Sequence, residues 1–430
     1  MTICGATISH TRTGSLPPGT GCAVSVICSA LERHSLQPLP KGTVVPAPQP
    51  FKIDVPKNTL DAIRARVRAY EWHEMPRGDG LEGTWAYGAN LDYMKALCAH
   101  WADGYDWRRW EAELNRFPQF IADVDGLGIH FYRENGSGPS PTPLILSHGW
   151  PGSVFEFLHV IDKLAHPERH GGEVRDAFTV IVPSLPGYGW SGKLRRPIGP
   201  RTAAKYFDGL MTNALGFRDY IAQGGDWGSA ISGWMAYDSP NCRACHLNMF
   251  GWRAPGVHPV TQEEKDYATR AAALFQMEGA YFQEHATKPQ TLSYAMMDSA
   301  VGACAWIVEK FHGWSDTRKG FEKVYSMDQL LTNVMIYLVT RSFNTATWMY
   351  RGLMEDHAGA PVPDGARIEK PVGIANFPVD LIPFPPRSLV ERHMNVTHWS
   401  DFQEGGHFAA LERPDDLVAD IRAFARTLLP

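Results

Sequence analysis

No run of apolar residues in this chain reaches the roughly 18 that a membrane-crossing helix needs. The longest near the N-terminus runs from Cys22 to Cys28, with Ala30 and Leu31 behind it, and is broken by Ser25 and Ser29. It follows no charged segment and precedes no clear cleavage site, which argues against a secretory signal. Charge of one sign is also scarce. Lys and Arg number 41 against 46 Asp and Glu, a net charge of −5. With no long basic run, binding to nucleic acid or an anionic membrane is not expected. Only seven of 430 residues are Cys, an odd number at irregular spacing, so no disulfide framework is implied. Cys242-x-x-Cys245 has no second such pair or paired His nearby, and reads as two thiols in a buried strand instead of a zinc site. His166 and His170 are spaced like a helical metal pair but enclose Pro167, which does not suit a helix interior. These absences together point to a cytoplasmic protein that needs no metal or organic cofactor.

What is present is the balance of a soluble globular protein, with 44% hydrophobic and 20% charged residues. The 14 Trp are more than this length usually carries, and suggest an aromatic-rich pocket beside ordinary core packing. Residues 1–50 are rich in Pro, Gly, Ser and Thr, with Glu32 the only acid, and read as a flexible extension. Arg12, Arg33 and Lys41 are too few for a typical transit peptide, and a misassigned start explains the segment equally well. Residues 51–118 form a small helical region. Asn58 is placed to cap a helix carrying Leu60, Ile63 and Val67, and Leu91, Met94, Leu97 and Trp101 mark a second.

From 119 the rhythm changes. Residues 120–124 and 129–132 flank Asp125-Gly126, a hairpin signal. Short apolar runs follow at 144–146, 178–182, 220–222, 244–250 and 372–377, spaced by helical segments. That alternation predicts an α/β protein with a mostly parallel sheet covered on both faces. Residues 119–255 would be the first part of the core and 369–430 the second. Between them, 256–368 lacks the rhythm and reads as an inserted helical lid.

Gly224-Gly225-Asp226-Trp227-Gly228 directly follows a strand and precedes a helix of small residues. Small residues two before and two after permit the tight strand-to-helix turn of a nucleophile elbow, here with Asp where hydrolases often have Ser. The simpler alternative is a Gly-rich turn in which Asp226 caps the helix. A carboxylate is already ionised at neutral pH and attacks an sp³ carbon without a base. The ester it forms must then be hydrolysed, which calls for a base. His407, in Gly405-Gly406-His407-Phe408 near the C-terminus, is the candidate, and its place after nucleophile and acid matches the hydrolase chain order. Asp380, just past the strand at 372–377, is favoured as the orienting acid over Glu404. The loop after 144–146, His148-Gly149-Trp150-Pro151-Gly152, is placed to supply an oxyanion donor from Trp150, with Trp227 the second. Gly187-Tyr188-Gly189-Trp190-Ser191-Gly192 matches a dinucleotide fingerprint in form only. Pro186 precedes it, Arg195-Arg196-Pro197 follows in place of a helix, and it reads as a turn bordering the site.

Taken together these stretches resemble the epoxide hydrolases, in particular the microsomal-type branch. The matching segments are HGWPGS (148–153), PSLPGYGWSG (183–192), GGDWG (224–228), ATKPQTL (286–292), LLTNVMIY (330–337) and GGHFAALERP (405–414), with YDWRRWEAELN (105–115) before them. The likeness implies an α/β-hydrolase fold, with Asp226 as nucleophile, His407 as base and Asp380 as acid, a position where that branch often has Glu. It further implies that Tyr281 and Tyr350 are the lid tyrosines that hold the epoxide oxygen, and that Trp150, Trp227 and Tyr188 border the substrate. The expected partners are a small apolar or aromatic epoxide and water, and a homodimer is left open. A haloalkane or haloacid dehalogenase shares the Asp elbow and the His but needs no tyrosine pair. A non-catalytic binding protein on the same fold would need none of these groups.

Overall fold

The computed structural model describes residues 46–428, apart from 79, 81, 82, 357 and 358. The extension read from 1–50 lies outside the described residues up to 45. Its last residues join the sheet instead, because β1 (Gln49–Phe51) pairs antiparallel with β2 (Gln119–Val124).

Three helices separate those strands. α1 (Lys57–Arg68) buries Ile63 and Val67, α2 (Leu91–Asp103) buries Leu91, Met94, Leu97, Cys98 and Trp101, and α3 (Trp107–Leu114) buries Trp107 and Leu114. The residue at the start of α1 is Pro56 and not Asn58, which lies within the first turn. Proline suits a helix start, where its missing N–H costs nothing, so the helix opens earlier than the Asn cap suggests. Asn115 holds this region to the sheet entry through two bonds with the Ile53 backbone, at 2.9 and 2.8 Å.

β2 and β3 (Leu127–Glu134) form the expected hairpin. Asp125 and Gly126 have φ of 51° and 80°, the left-handed pair whose twist matches that of the strands. Then come β4 (Thr142–Ser147), α4 (Ile161–Ala165), β5 (Phe178–Pro183), α5 (Pro200–Gly209), β6 (Tyr220–Gly224), α6 (Asp226–Asp238) and β7 (Cys242–Leu247). The run expected through 250 stops as a strand at Leu247. β5 and β6 are buried along their whole length, as a sheet covered on both faces requires. Cys242 and Cys245 both lie buried in β7.

Seven helices follow before the sheet resumes. They are α7 (Gln262–Glu278), α8 (Ala280–Thr287), α9 (Pro289–Asp298), α10 (Ala300–Trp314), α11 (Phe321–Val324), α12 (Met327–Val339) and α13 (Phe343–Glu355). β8 (Ile368–Asn376), α14 (Arg387–His393), β9 (Met394–Asp401), α15 (Ala409–Glu412) and α16 (Pro414–Arg426) complete the chain. The nine strands lie in the order β1-β2-β3-β5-β4-β6-β7-β8-β9, parallel from β5 to β9. After β4 the chain moves to one side, and after β5 it crosses to the other. Loops leaving β4 and β6 therefore part, and open sheets of this kind bind their ligands in that crevice. Among the described residues, no single helix is long and apolar enough to cross a membrane.

Candidate active site

A tight turn joins β6 to α6. Asp226 sits there with φ of 48°, a left-handed conformation that a residue with a Cβ adopts only when its surroundings enforce it. The flanking glycines explain how the chain fits. A Cβ on Gly224 would lie 2.3 Å from the Gly228 backbone, and one on Gly228 would lie 1.8 Å from the Ser147 carbonyl oxygen. Gly225, not Asp226, occupies the cap position of α6. The Asp226 carboxylate is turned instead toward the loop after β4, where Oδ1 accepts the Trp150 N–H at 2.8 Å. A Cβ on Gly149 would fall 2.1 Å from that same oxygen, so only glycine lets the loop approach so closely. His148 fixes this loop from beneath. Its Nδ1 lies 3.0 Å from the Gly149 carbonyl and its Nε2 accepts the Leu185 N–H. Burial lowers its pKa to about 4, so it stays neutral and acts as a staple.

On the other side of the carboxylate, Oδ2 lies 3.4 Å from His407 Nε2, and His407 Nδ1 is 2.7 Å from Asp380 Oδ1. The side chains of Asp226, Asp380 and His407 are 14%, 8% and 3% exposed, so solvent screens their charges little. Burial alone would depress the His407 pKa, but the carboxylates of Asp380 and Asp226 outweigh it and hold the imidazole well above its ordinary range. His407 is held in place by its own N–H, which donates to the Trp314 carbonyl at 3.0 Å. Glu404, the competing acid, lies at the surface paired with Lys319 and Arg413. The structure thus brings Asp226, His407 and Asp380 together and leaves Glu404 outside.

Aromatic rings close the site from the helices between β7 and β8. Tyr281, from α8, stacks on Trp150 at 5.1 Å between centroids, and Tyr350, from α13, meets Trp227 edge-on at 4.8 Å. The two phenol rings are 5.8 Å apart. Burial and the Asp226 charge hold the Tyr281 hydroxyl well above its ordinary pKa, and burial and Tyr281 do the same for Tyr350. Both are therefore proton-bearing donors at neutral pH. Tyr188 borders the same cluster, but its hydroxyl is committed to the Ala346 carbonyl at 2.9 Å, tying the 187–192 turn to α13. Gly187 and Gly189 in that turn have positive φ, and no helix begins until Pro200.

Three groups at the site escaped the sequence reading. His285 is buried beside Tyr350 at 4.8 Å, and its Nε2 accepts the Trp306 indole N–H. Lys310 sits 4.9 Å over the Tyr281 ring, with Glu309 as its counter-ion. Glu156 shares a small cavity with Asp226 and His407. Each stands alone in an ordinary stretch of helix or turn, so only the folded arrangement singles it out. Among the described residues, no cluster of three or more His, Cys, Asp or Glu is placed to hold a metal ion.

Comparison with known proteins gives this geometry a family. The model of the epoxide hydrolase N terminus matches residues 48–157, and that of the alpha/beta hydrolase fold matches 142–333. A Stigmatella aurantiaca protein assigned to the epoxide hydrolases is 38% identical over 384 residues, covering 88% of this chain and 85% of that protein. Epoxide hydrolase 1 of Sus scrofa is 31% identical over 404 residues, 87% of this chain and 88% of its own. The solved structure of Aspergillus niger epoxide hydrolase superposes with a TM-score of 0.77 at 33% identity, covering 90% of this chain and 98% of that one. With relatives matched over most of their length, and an Asp elbow where the fold seats its nucleophile, the chain belongs to the epoxide hydrolase family, enzymes on an α/β-hydrolase fold.

Proposed function

We propose that the chain hydrolyses an apolar or aromatic epoxide to a vicinal diol through a covalent ester on Asp226. The observation that carries this reading is the Asp226 carboxylate, held between the Trp150 N–H at 2.8 Å and His407 Nε2 at 3.4 Å. Oδ1, in the N–H pocket, becomes the ester carbonyl, and Oδ2 attacks the ring carbon. An alkoxide leaves poorly unless it is protonated, so Tyr281 and Tyr350 hydrogen-bond the epoxide oxygen and one of them gives up its proton. The rings of Trp150, Trp227 and Tyr188 form an apolar wall around this point, which favours substrates with apolar or aromatic substituents.

His407 changes role between the two half-reactions. Beside two carboxylates its proton is held tightly. Forming the ester removes the Asp226 charge, which lowers the imidazole pKa, so the extra proton passes to solvent and leaves Nε2 free to act as a base, and a proton is taken up again once Asp226 is back as a carboxylate. Asp380 keeps the ring oriented. His407 then takes a proton from water, the water oxygen adds to the ester carbon, and the N–H groups of Trp150 and Trp227 stabilise the oxyanion. In this reading 256–368 is a lid that admits the substrate, 51–118 braces it, and no cofactor enters.

The test is a single turnover in ¹⁸O-water with enzyme in excess. Label is expected in the Asp226 carboxylate and little in the first diol released. Label appearing directly in that diol would overturn the covalent route.

A further inference from the structure

The loops behind Asp226 enclose a cavity of about 10 Å³. That is close to the volume, by the same measure, that one water molecule occupies. Its polar walls are Asp226, His407, Glu156 and Asn248, and helices α7–α13 contribute none of its lining. Asn248 already accepts the Gln223 amide through Oδ1 at 2.8 Å, so the group it can offer is its own N–H₂. Glu156 stands in the short 3₁₀ turn Val154–Phe157. Its carboxyl packs on the bare backbone of the oxyanion loop, where a Cβ on Gly152 would come within 1.5 Å of Glu156 Oε1.

A buried water needs two to four hydrogen-bonding partners. Here three converge: an acceptor on His407, an acceptor on the Glu156 carboxyl and a donor on Asn248. We propose that this cavity seats the hydrolytic water and that Glu156 is the positioning residue that aims it at the ester carbon of Asp226. The inference rests on the covalent-ester reading above.

Its chemistry balances. His407 Nε2 takes one proton of the water while Glu156 holds the other by hydrogen bond. The water oxygen bonds to Asp226 Cγ, and the bond from Cγ to the alkyl oxygen breaks. The departing oxygen takes the proton from His407. The second proton leaves as Asp226 returns to carboxylate and replaces the one lost by the tyrosine. Burial raises the Glu156 pKa to about 8, with the charges of His407 and Asp226 acting in opposite directions, so the carboxyl presents a carbonyl acceptor in either protonation state.

The test uses Glu156→Leu and Glu156→Gln in rapid-quench single turnovers with styrene oxide, following the enzyme ester by intact mass. Leu removes the acceptor, whereas Gln keeps a carbonyl in its place. Ester formation should stay within about 3-fold of wild type in both variants. Ester hydrolysis should fall about 10²-fold in the Leu variant, the cost of a misplaced reactant, and less than about 10-fold in the Gln variant. Hydrolysis at the wild-type rate in the Leu variant overturns the assignment. So does an equal loss in both half-reactions, or in both variants, because either would mark a structural role. Wild type that forms no ester at all would instead sink the covalent reading itself.

Discussion

At the scale of single residues, the proposed mechanism makes the imidazole of His407 a base that is switched on only when needed. Two carboxylates hold its proton in the resting enzyme, and the first half-reaction removes one of those charges. The remaining one, Asp380, raises the pKa most, so Asp380→Asn should lower it. Ester hydrolysis requires neutral His407, so its rate falls as pH drops through that pKa. The acid limb should therefore move to lower pH in the variant, with the maximal rate reduced about 10²-fold. A pH profile of the hydrolysis step whose acid limb stays in place would contradict this. In the same proposal the phenols carry the other half of the chemistry. Tyr281→Phe and Tyr350→Phe should each slow ester formation at least 10-fold and together about 10³-fold, within the usual range for general-acid groups. Stopped-flow measurement of the first half-reaction checks this. A double variant that still released halide from a haloalkane would revive the dehalogenase alternative.

The residues differ in how far the sequence disclosed them. Asp226 and His407 were legible because sterics force glycines around them, and glycines at fixed spacing are visible in a string of letters. Asp380 was readable from its place just past a strand, while Glu404 was set aside by its exposed turn. Tyr281 and Tyr350 came only through the family resemblance, since burial and ring contacts distinguish them from the other tyrosines. Glu156 went unread. A glutamate in a short turn is usually solvated, and only the folded chain brings it back against Gly152.

At the scale of elements, the elbow depends on atoms that are missing. Gly228→Ala would place a methyl 1.8 Å from the Ser147 carbonyl, so α6 would have to shift away from β4. A loss of about 1–3 kcal/mol is expected, together with disproportionate loss of activity because Asp226 rides on the first turn of α6. Urea denaturation beside initial rates would separate the two effects. A variant of normal stability and activity would refute the steric account. Helix α16 is fastened differently. Asp420 accepts from His246 on β7 at 2.8 Å and from His398 on β9 at 2.7 Å, with Ser400 also bonded to it. Burial works against the ionised form, but these partners prevail and bring the Asp420 pKa to about 2. A depressed carboxylate contributes stability above its unfolded pKa of about 3.9 and loses it as pH falls toward the folded value. Asp420→Asn should thus cost about 2 kcal/mol at pH 7 and progressively less below pH 4, measured by chemical denaturation at each pH. A penalty that did not change with pH would show that packing, not charge, holds the helix. The positions of most parallel strands were foreseeable from apolar runs, but nothing in those runs announces which buried His and Asp will meet across three elements.

At the scale of the whole molecule, two regions converge on α12. From the N-terminal region, His100 and Trp110 reach Asp328 at 2.6 and 3.1 Å, and Tyr105 reaches Thr332. From the core, Asn333 donates to the Pro151 carbonyl and receives the Ser153 hydroxyl, while Tyr337 donates to the Gly152 carbonyl. The helical region between β1 and β2 therefore braces α12, which in turn grips the loop after β4, a contact its helical pattern alone did not disclose. Asn333→Leu should lower both half-reactions while costing about 1–3 kcal/mol of stability for the polar groups left unpaired. Equal stability and unchanged rates would show that the grip does not matter.

The grip of α12 on the loop that carries Trp150 bears on what the ester can react with. If the lid swings aside, that loop loses its anchors and the Trp150 N–H its fixed aim at the carbonyl oxygen. An amine or thiol entering through the open lid would then meet an ester polarised by the Trp227 N–H alone. Only the water proposed to sit behind Asp226 would meet the fully activated one. The same hydrogen bonds that close the protein would thereby make it faithful to water.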